Sequence, residues 1–262
     1  MRDWKSWHRI WANEEAVGSV MDRKCGWHLG KGAAVLAAAM TLVAGASIPA
    51  LAEIVAARYE MPTTRYAHGV LGDRVEYGAL AITEKAGKTS RFVLSDALVF
   101  EDIAPRLWDV TGDGKAEVVV VEAHQDLGAR LAVWTAQGRV ATTPHIGTRF
   151  RWLAPVGAAD LDGDGAMEIA FVDRPHLAKT LRIWRYANGR LREVGRLRGV
   201  SNHQIGWDYI IGGLRNCADG PEMVLASGDW RRLLAIRFDG SLMPRDIGRY
   251  DAARLKAAMA CR

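Results

Sequence analysis

The sequence predicts an all-β fold built from repeated groups of short strands. Two acidic segments that contain glycine, 109–117 and 160–168, recur about fifty residues apart, and each leads into a short apolar run suited to a strand. A second apolar run follows each and ends at a glycine turn. A period of about fifty residues with several short strands per unit and no long amphipathic helix is typical of propeller blades. We therefore predict a small β-propeller of about four blades, either closed or an open arc.

The first 52 residues have the features of a signal peptide. Residues 32–52 carry no charge, basic residues precede them, and small residues end the run at Ala52 before Glu53. We predict a signal peptide helix within residues 1–52, cleavage near Ala52–Glu53, and a propeller domain of residues 53–262. The mature protein is then extracytoplasmic, either periplasmic or secreted.

Two alternatives concern this N-terminal segment. The residues before Met21 are polar and contain Trp, which is unusual ahead of a signal sequence, so Met21 is an alternative start. The uncharged run is also long enough to span a bilayer as a permanent anchor. Its Ala and Gly content and Pro49 make it only modestly hydrophobic, so a membrane contact is expected only through an uncleaved signal anchor.

The predicted strands come in pairs within each copy of the repeat. The pairs are 75–82 with 90–94, 117–122 with 130–134, 168–173 with 180–184, and 222–226 with 233–238. Hairpin turns are predicted at 137–138, 188–189 and 239–240, because each position contains glycine. The tail, 250–260, alternates Ala with longer side chains and predicts a short C-terminal helix.

The two acidic segments have the spacing of calcium loops. Oxygen-bearing residues fall at relative positions 1, 3, 5 and 9, a glycine stands at position 6, and the carbonyl at position 7 can turn toward an ion. A hard cation such as Ca²⁺ takes six to eight such oxygens. The predicted ligands of the first site are Asp109, Thr111, Asp113, the Lys115 carbonyl and Glu117, and those of the second are Asp160, Asp162, Asp164, the Ala166 carbonyl and Glu168.

The two predicted sites differ in charge. The second has four carboxylates, whereas Thr111 replaces a carboxylate in the first, so we expect the second to bind calcium more tightly. The alternative is that both segments are simply polar turns between strands, a common use of Asp and Gly. The corresponding segment of the last copy, 214–220, has lost most of its acidic residues, and we expect no metal there.

An acidic loop followed by a strand at this spacing resembles the FG-GAP or VCBS-type repeat of integrin-like β-propellers. The resemblance is specific for 109–117 and 160–168, and the segment 153–159 matches the family's other consensus residues only loosely. It implies calcium-binding loops between the first two strands of a blade. It also implies a role in adhesion or in binding a protein or carbohydrate ligand, although fold alone does not fix function.

The cysteines fit an oxidising compartment. Removal of the signal peptide takes Cys25 and leaves Cys217 and Cys261, and an even pair in an exported protein predicts one disulfide. The bond would tie the C-terminal tail to the degenerate loop of the last copy. The alternative is two free thiols.

The charge distribution argues against nucleic acid as a partner. The chain has a net charge of +5, and its basic residues are scattered rather than gathered in one stripe. Arg and Trp alternate in 182–185 and 230–232, which we interpret as strands with Arg at the solvent side.

No motif of a catalytic site is present in the sequence. It lacks a G-x-S-x-G elbow, an H-E-x-x-H pair and a P-loop, and its histidines show no metal-ligand spacing. We predict no catalytic residues. The segment 201–217 gathers polar groups beside glycines, and it predicts a ligand rim formed by His203, Trp207, Asp208 and Arg215. The alternative is an internal network that braces the loop without a metal.

Three classes of function therefore remain open. The first is an extracytoplasmic, non-catalytic binding module with two calcium ions. The second is a small propeller enzyme, a lyase or hydrolase with a site near His203 to Arg215, which a tight cluster of these residues would favour. The third is an envelope assembly factor, which an exposed apolar face at an open end would favour.

Overall fold

The computed structural model describes residues 53–217 and 219–262. These residues form seventeen strands and one helix, so the predicted all-β class with a short C-terminal helix is confirmed. The signal peptide predicted within residues 1–52, its cleavage site and the alternative start at Met21 lie outside the described residues. The helix found in the described part of the chain is too short and too polar to cross a bilayer.

The strands fall into four consecutive groups along the chain. The first group has β1 (Ile54–Thr63), β2 (Glu76–Glu84) and β3 (Thr89–Val93). The second has β4 (Leu98–Phe100), β5 (Arg106–Trp108), β6 (Glu117–His124), β7 (Gly128–Thr135) and β8 (Gly138–Thr142). The third has β9 (Leu153–Ala159), β10 (Glu168–Asp173), β11 (Thr180–Ala187) and β12 (Arg190–Arg198). The fourth has β13 (Val200–Ser201), β14 (Gly213–Cys217), β15 (Gly220–Ser227), β16 (Arg232–Phe238) and β17 (Leu242–Arg249), and α1 (Ala252–Met259) follows.

Each of the last three groups contains a four-stranded antiparallel meander. The strand orders are β5-β6-β7-β8, β9-β10-β11-β12 and β14-β15-β16-β17. The predicted strand pairs are confirmed. The predicted hairpin turns are confirmed as well, and each joins the second strand of a pair to the strand that follows it. At the turn between β11 and β12, Asn188 and Gly189 have φ of 50° and 73°. Positive φ at both central residues is the type I′ pattern, whose twist matches that of the flanking strands.

The first two groups share one sheet because β4 pairs with both β2 and β6. β4 and β5 lie end to end along β6, so together they form a first strand that is interrupted by residues 101–105. The fourth group has the same construction, since β13 and β14 both pair with β15 and are separated by residues 202–212. In the third group β9 is continuous. The result is three sheets made from four propeller-like groups.

The strands bury both of their faces against neighbouring groups. In β6, Val118 and Val120 belong to a core cluster shared with the first group, whereas Val119 and Val121 belong to a cluster shared with the third. β10 repeats this alternation between the second and fourth groups. Successive side chains of a strand point to opposite faces. A run such as Val118–Val121 is therefore apolar throughout, because no face of its strand is left for water.

The C-terminal helix is capped by its own N-terminal residue and is joined to the fourth group by a hydrogen bond and a disulfide. The side chain of Asp251 caps its N-terminus by accepting from the Arg254 amide at 2.7 Å. Ala258 is buried, and its carbonyl accepts from Arg215 on β14. The predicted disulfide between Cys217 and Cys261 is present and joins the end of β14 to the tail. The disulfide prediction is therefore confirmed.

Candidate functional site

Both acidic segments lie between the first and second strands of a four-stranded meander. The first connects β5 to β6 and the second connects β9 to β10. In the first loop the Asp109 carboxylate accepts from the amides of Gly112 and Gly114, at 2.7 and 2.9 Å. Asp160 does the same in the second loop, where the corresponding distances are 2.8 and 3.0 Å. All four glycines of this pattern have positive φ, between 75° and 87°, which they adopt without a steric penalty.

The turn at the far end of each loop also repeats. The Lys115 amide donates to Asp113 and the Ala166 amide donates to Asp164, at 2.8 and 2.9 Å. The two loops therefore share a backbone shape that their own side chains fix. This shape requires no group from elsewhere in the chain.

The second loop brings three carboxylates together. One oxygen each from Asp160, Asp162 and Glu168 lies within 4.8 Å of the other two. Glu168 is fully buried and accepts from the Leu161 amide at 2.9 Å. The Oδ1 atom of Asp162 is buried and has no hydrogen-bond partner. A buried carboxylate oxygen without a partner is costly, and a cation would remove that cost.

Arg185 lies against the same carboxylates. It is paired with Glu168 across β10 and β11, and its guanidinium contacts Glu168, Asp162 and Asp164 at 2.5, 2.6 and 2.7 Å. Burial alone would lower the pKa of Arg185, but the Glu168 and Asp162 carboxylates outweigh burial and raise it. Arg185 therefore turns its guanidinium to the acidic loop, while part of its side chain stays exposed. The loop contains four carboxylates, and the one guanidinium contacts three of them, which leaves a formal excess of negative charge.

The first loop is closed mainly by backbone contacts. Glu117 accepts from the amides of Val110 and Thr111 at 2.8 and 3.2 Å, and the Thr111 hydroxyl donates to it at 3.4 Å. Within residues 53–217 and 219–262, the second loop holds the one group of three carboxylates, histidines or cysteines with the convergence of a metal site. Burial raises the pKa of both Glu117 and Glu168. Each carboxylate therefore lies in surroundings that favour a counter-charge or a proton.

In the fourth group, arginines surround the glutamate that corresponds to Glu117 and Glu168 of the acidic loops. Glu222 begins the buried part of β15, as Glu117 and Glu168 begin β6 and β10. Its carboxylate accepts from Nε of Arg215 at 2.8 Å, and guanidinium nitrogens of Arg245 and Arg237 lie 3.3 and 3.8 Å away. An ion-pair network thus surrounds this position.

The residues of the predicted ligand rim separate into two places. His203 is fully buried, its Nε2 lies 2.9 Å from the Trp207 carbonyl oxygen, and the two rings are 6.4 Å apart between centroids. Asp208 is exposed. Arg215 makes its hydrogen bonds to Glu222 and to the Ala258 carbonyl, beside the disulfide. His203 and Arg215 thus belong to separate networks.

Arg185 is the site residue that sequence reasoning missed. Its register opposite Glu168 was implicit in the two predicted strands, but the strand pattern did not indicate the face on which it lies. The length of the β10–β11 hairpin could have indicated it, because this length places Arg185 directly opposite Glu168, the last residue of the acidic loop.

Comparison with known proteins supports the repeat assignment. Residues 109–171, which include both acidic loops, match the model of the FG-GAP-like repeat. Among solved structures, the exotype rhamnogalacturonan lyase YesX is similar over 65% of this chain, with 16% identity and a TM-score of 0.34. The chain spans 40% of the length of that enzyme. No curated protein matches the chain.

The class of protein follows from the repeat, the sheets and the disulfide. The chain contains an FG-GAP-like repeat region within antiparallel, propeller-like groups of strands. The repeat and the disulfide are typical of extracytoplasmic proteins.

Proposed function

We propose that the chain is an extracytoplasmic, propeller-like binding module in which calcium braces the loops between blade strands. The observation that carries the proposal is the second loop, where one guanidinium contacts three of four carboxylates and a buried Asp162 oxygen has no partner. A site with this excess of carboxylate oxygens suits a hard divalent cation. The proposal is also supported by the backbone shape that the two loops share and by the FG-GAP-like repeat that spans them.

Two sites would hold the ions. The predicted ligands are those of the repeat: Asp109, Thr111, Asp113, Lys115 and Glu117 in the first loop, and Asp160, Asp162, Asp164, Ala166 and Glu168 in the second. The guanidinium holds one oxygen of Glu168 and one of Asp162, so an ion that takes these two oxygens must displace Arg185. The first loop has the weaker charge, and in its hairpin Thr135 of β7 stands at the position that corresponds to Arg185.

The proposed role is non-catalytic. A rigid, calcium-braced blade array presents its loops to a protein or carbohydrate ligand, and no nucleic acid is expected because the basic residues are dispersed. Export through a signal peptide cleaved near Ala52–Glu53 would place the module in the periplasm or outside the cell. Membrane contact would then require an uncleaved signal anchor.

A calcium titration tests the proposal. Residues 53–262, stripped with a chelator, are titrated with calcium and then with magnesium, and melting is followed at each concentration. At a concentration about 100 times Kd, each site should add about 2.7 kcal/mol, or roughly 5 to 10 °C in melting temperature. We expect Asp162→Ala to lose the gain that comes from the second site and Asp96→Ala, at a fully exposed carboxylate, to keep the whole gain. Identical melting of the wild type with and without calcium would exclude the calcium sites.

The enzyme alternative required a tight cluster of His203, Asp208 and Arg215. His203 and Arg215 instead take part in separate networks, and Asp208 is exposed. This separation weighs against a catalytic site made of these residues. The assembly-factor alternative has no comparable observation in its favour.

A further inference from the structure

A cavity unrelated to the acidic loops is lined by residues 68–70, 150–152, 174–177 and 205. Its volume is about 280 Å³, near the lower end of the range for small-molecule pockets. Two histidines line it, His68 and His176, which are distant in sequence and showed no metal-ligand spacing. We propose that this cavity binds a small hydroxylated carboxylate with an apolar group, and that His176, His68 and Arg151 recognise it.

The hydrogen bonds of His203 fix the tautomer of His176. The Trp207 carbonyl can only accept, so Nε2 of His203 carries the hydrogen of that 2.9 Å bond. In neutral His203, Nδ1 is therefore an acceptor, and its partner 2.9 Å away, Nε2 of His176, must be the donor. Burial lowers the pKa of both rings, for His176 to about 4, so both are neutral near pH 7. The Nδ1 atom of His176 is then an unprotonated acceptor on a ring that lines the cavity.

His68 provides the complementary group. Its Nδ1 lies 2.5 Å from Oε1 of Glu101, a carboxyl group that is fully buried and whose second oxygen has no hydrogen-bond partner. Burial raises the pKa of Glu101 well above its usual value and lowers that of His68 to about 4, so the shared proton resides on Glu101. The hydrogen of neutral His68 is then on Nε2. One imidazole donates and the other accepts, which is the arrangement that holds a ligand hydroxyl.

Arg151 and two apolar side chains complete the cavity. Nη1 of Arg151 donates to the Phe150 carbonyl, and no carboxylate lies within 4 Å of this guanidinium in the described residues. Its remaining N–H groups suit a ligand carboxylate, because guanidinium and carboxylate can form two parallel hydrogen bonds. Leu177 and Ile205 also line the cavity, and 64% and 70% of their surfaces are exposed. Exposed apolar side chains at the mouth favour a ligand with an apolar group.

Mandelate is the probe, because it carries a hydroxyl beside a carboxylate and an apolar ring. Binding is followed by calorimetry and by intrinsic tryptophan fluorescence, to which Trp152 in the wall of the cavity contributes. At the affinity per atom usual for so small a ligand, we expect a Kd of about 1 mM. Phenylacetate lacks the hydroxyl and benzyl alcohol lacks the carboxylate, and each should bind about tenfold more weakly.

Substitutions inside and outside the cavity test whether the cavity is the place where mandelate binds. His176→Phe and Arg151→Gln should weaken mandelate binding at least tenfold, whereas His124→Phe, at a histidine that packs against His145, should not change it. Nitrogen NMR of the rings adds a readout that needs no ligand, and it should find Nδ1 of His176 unprotonated. Equal binding of the three probes, no mandelate binding, or a protonated Nδ1 would each overturn the proposal.

The inference adds a ligand to the proposed binding module, but its test is independent of calcium. The probes are titrated into calcium-loaded protein and repeated after chelation. Failure of mandelate in protein that binds calcium refutes the cavity alone. Failure of calcium in protein that binds mandelate refutes the metal sites alone.

Discussion

At the scale of single residues, Arg185 decides how the second acidic loop behaves. Four carboxylates around one site would repel one another, and the guanidinium of Arg185 offsets part of that repulsion in the absence of a metal. The same contacts oppose an incoming cation. The expectation that the second site binds more tightly considered the ligands alone, so the competing guanidinium can reverse the predicted order of affinities.

Replacement of Arg185 tests this competition. Arg185→Thr introduces the residue type that stands in β7 at Thr135, and we expect calcium affinity at the second site to rise about tenfold or more, because no ion pair must be broken. The apoprotein should melt at a lower temperature, since Glu168 and Asp162 lose their counter-charge. The measurement is a two-site calcium titration.

Arg182→Thr is the matched control for this prediction. Arg182 lies on the same strand but pairs with Asp173 and Glu193, away from the loop. Its replacement should leave calcium affinity unchanged. Unaltered affinity of the second site in Arg185→Thr would show that the guanidinium leaves the loop at no cost.

At the scale of elements, the interrupted first strands place the polar groups of the molecule. The break between β4 and β5 contains Glu101 and Asp102. The Asp102 carboxylate accepts from the Val121 amide at 3.0 Å, so this amide of β6 has a partner although no residue of β4 or β5 lies opposite it. The break between β13 and β14 contains Asn202, His203 and Trp207. Continuous β9 has no such insertion. The breaks therefore supply polar residues close to the cavity, whereas the meanders supply the core.

The disulfide should be the main interaction that holds α1 against the fourth group. Cys217 and Cys261 are 44 residues apart, and the loop-entropy model gives about 4 kcal/mol for a closed loop of that length. We expect Cys261→Ser to lower the free energy of unfolding by a few kcal/mol and to expose the β14 edge to hydrogen exchange. Denaturant titration of the oxidised protein measures the change.

Reduction of the wild type provides the control for the disulfide. The reduced wild type and Cys261→Ser should unfold at the same denaturant concentration, because both lack the bond. Thiol titration of denatured, oxidised protein should find no free thiol in residues 53–262. Equal stability of the oxidised and reduced forms would show that packing of Ala258 alone holds the helix.

At the scale of the whole molecule, stability depends on how buried carboxyl groups ionise. Glu76 is 2% exposed, and burial, with the nearby acidic side chains Glu101, Asp73 and Asp102, raises its pKa to about 9. Its unfolded pKa is near 4.5, so the unfolded chain releases this proton several pH units earlier. Stability from this group is complete below about pH 4.5 and is lost as the pH rises toward 9.

Glu76→Gln should remove this pH dependence. The amide has the shape of the neutral acid, so the variant should match the wild type near pH 4.5 and exceed it by a growing margin up to pH 9, reaching a few kcal/mol. Denaturant titrations at several pH values measure the margin, with Asp96→Asn as a fully exposed control. A constant difference between variant and wild type across this range would contradict the shifted pKa.

The sequence by itself determined the repeat and the local structure. Eight of the seventeen strands, the hairpin turns that follow them, the C-terminal helix and the disulfide could be predicted, because alternation, turn glycines and cysteine parity are local or countable signals. The acidic loops could be located for the same reason, since Asp109 and Asp160 contact amides within their own segments.

Only the tertiary structure decided what each loop and histidine faces. Arg185 reaches the second loop through the pairing of β10 and β11, and His68, His176 and His203 approach one another from three different groups. The interrupted first strands depend on pairing with β6 and β15. Contacts between residues distant in the chain are set by packing of whole sheets, and a pattern of residue types along the chain does not encode which side chains that packing brings together.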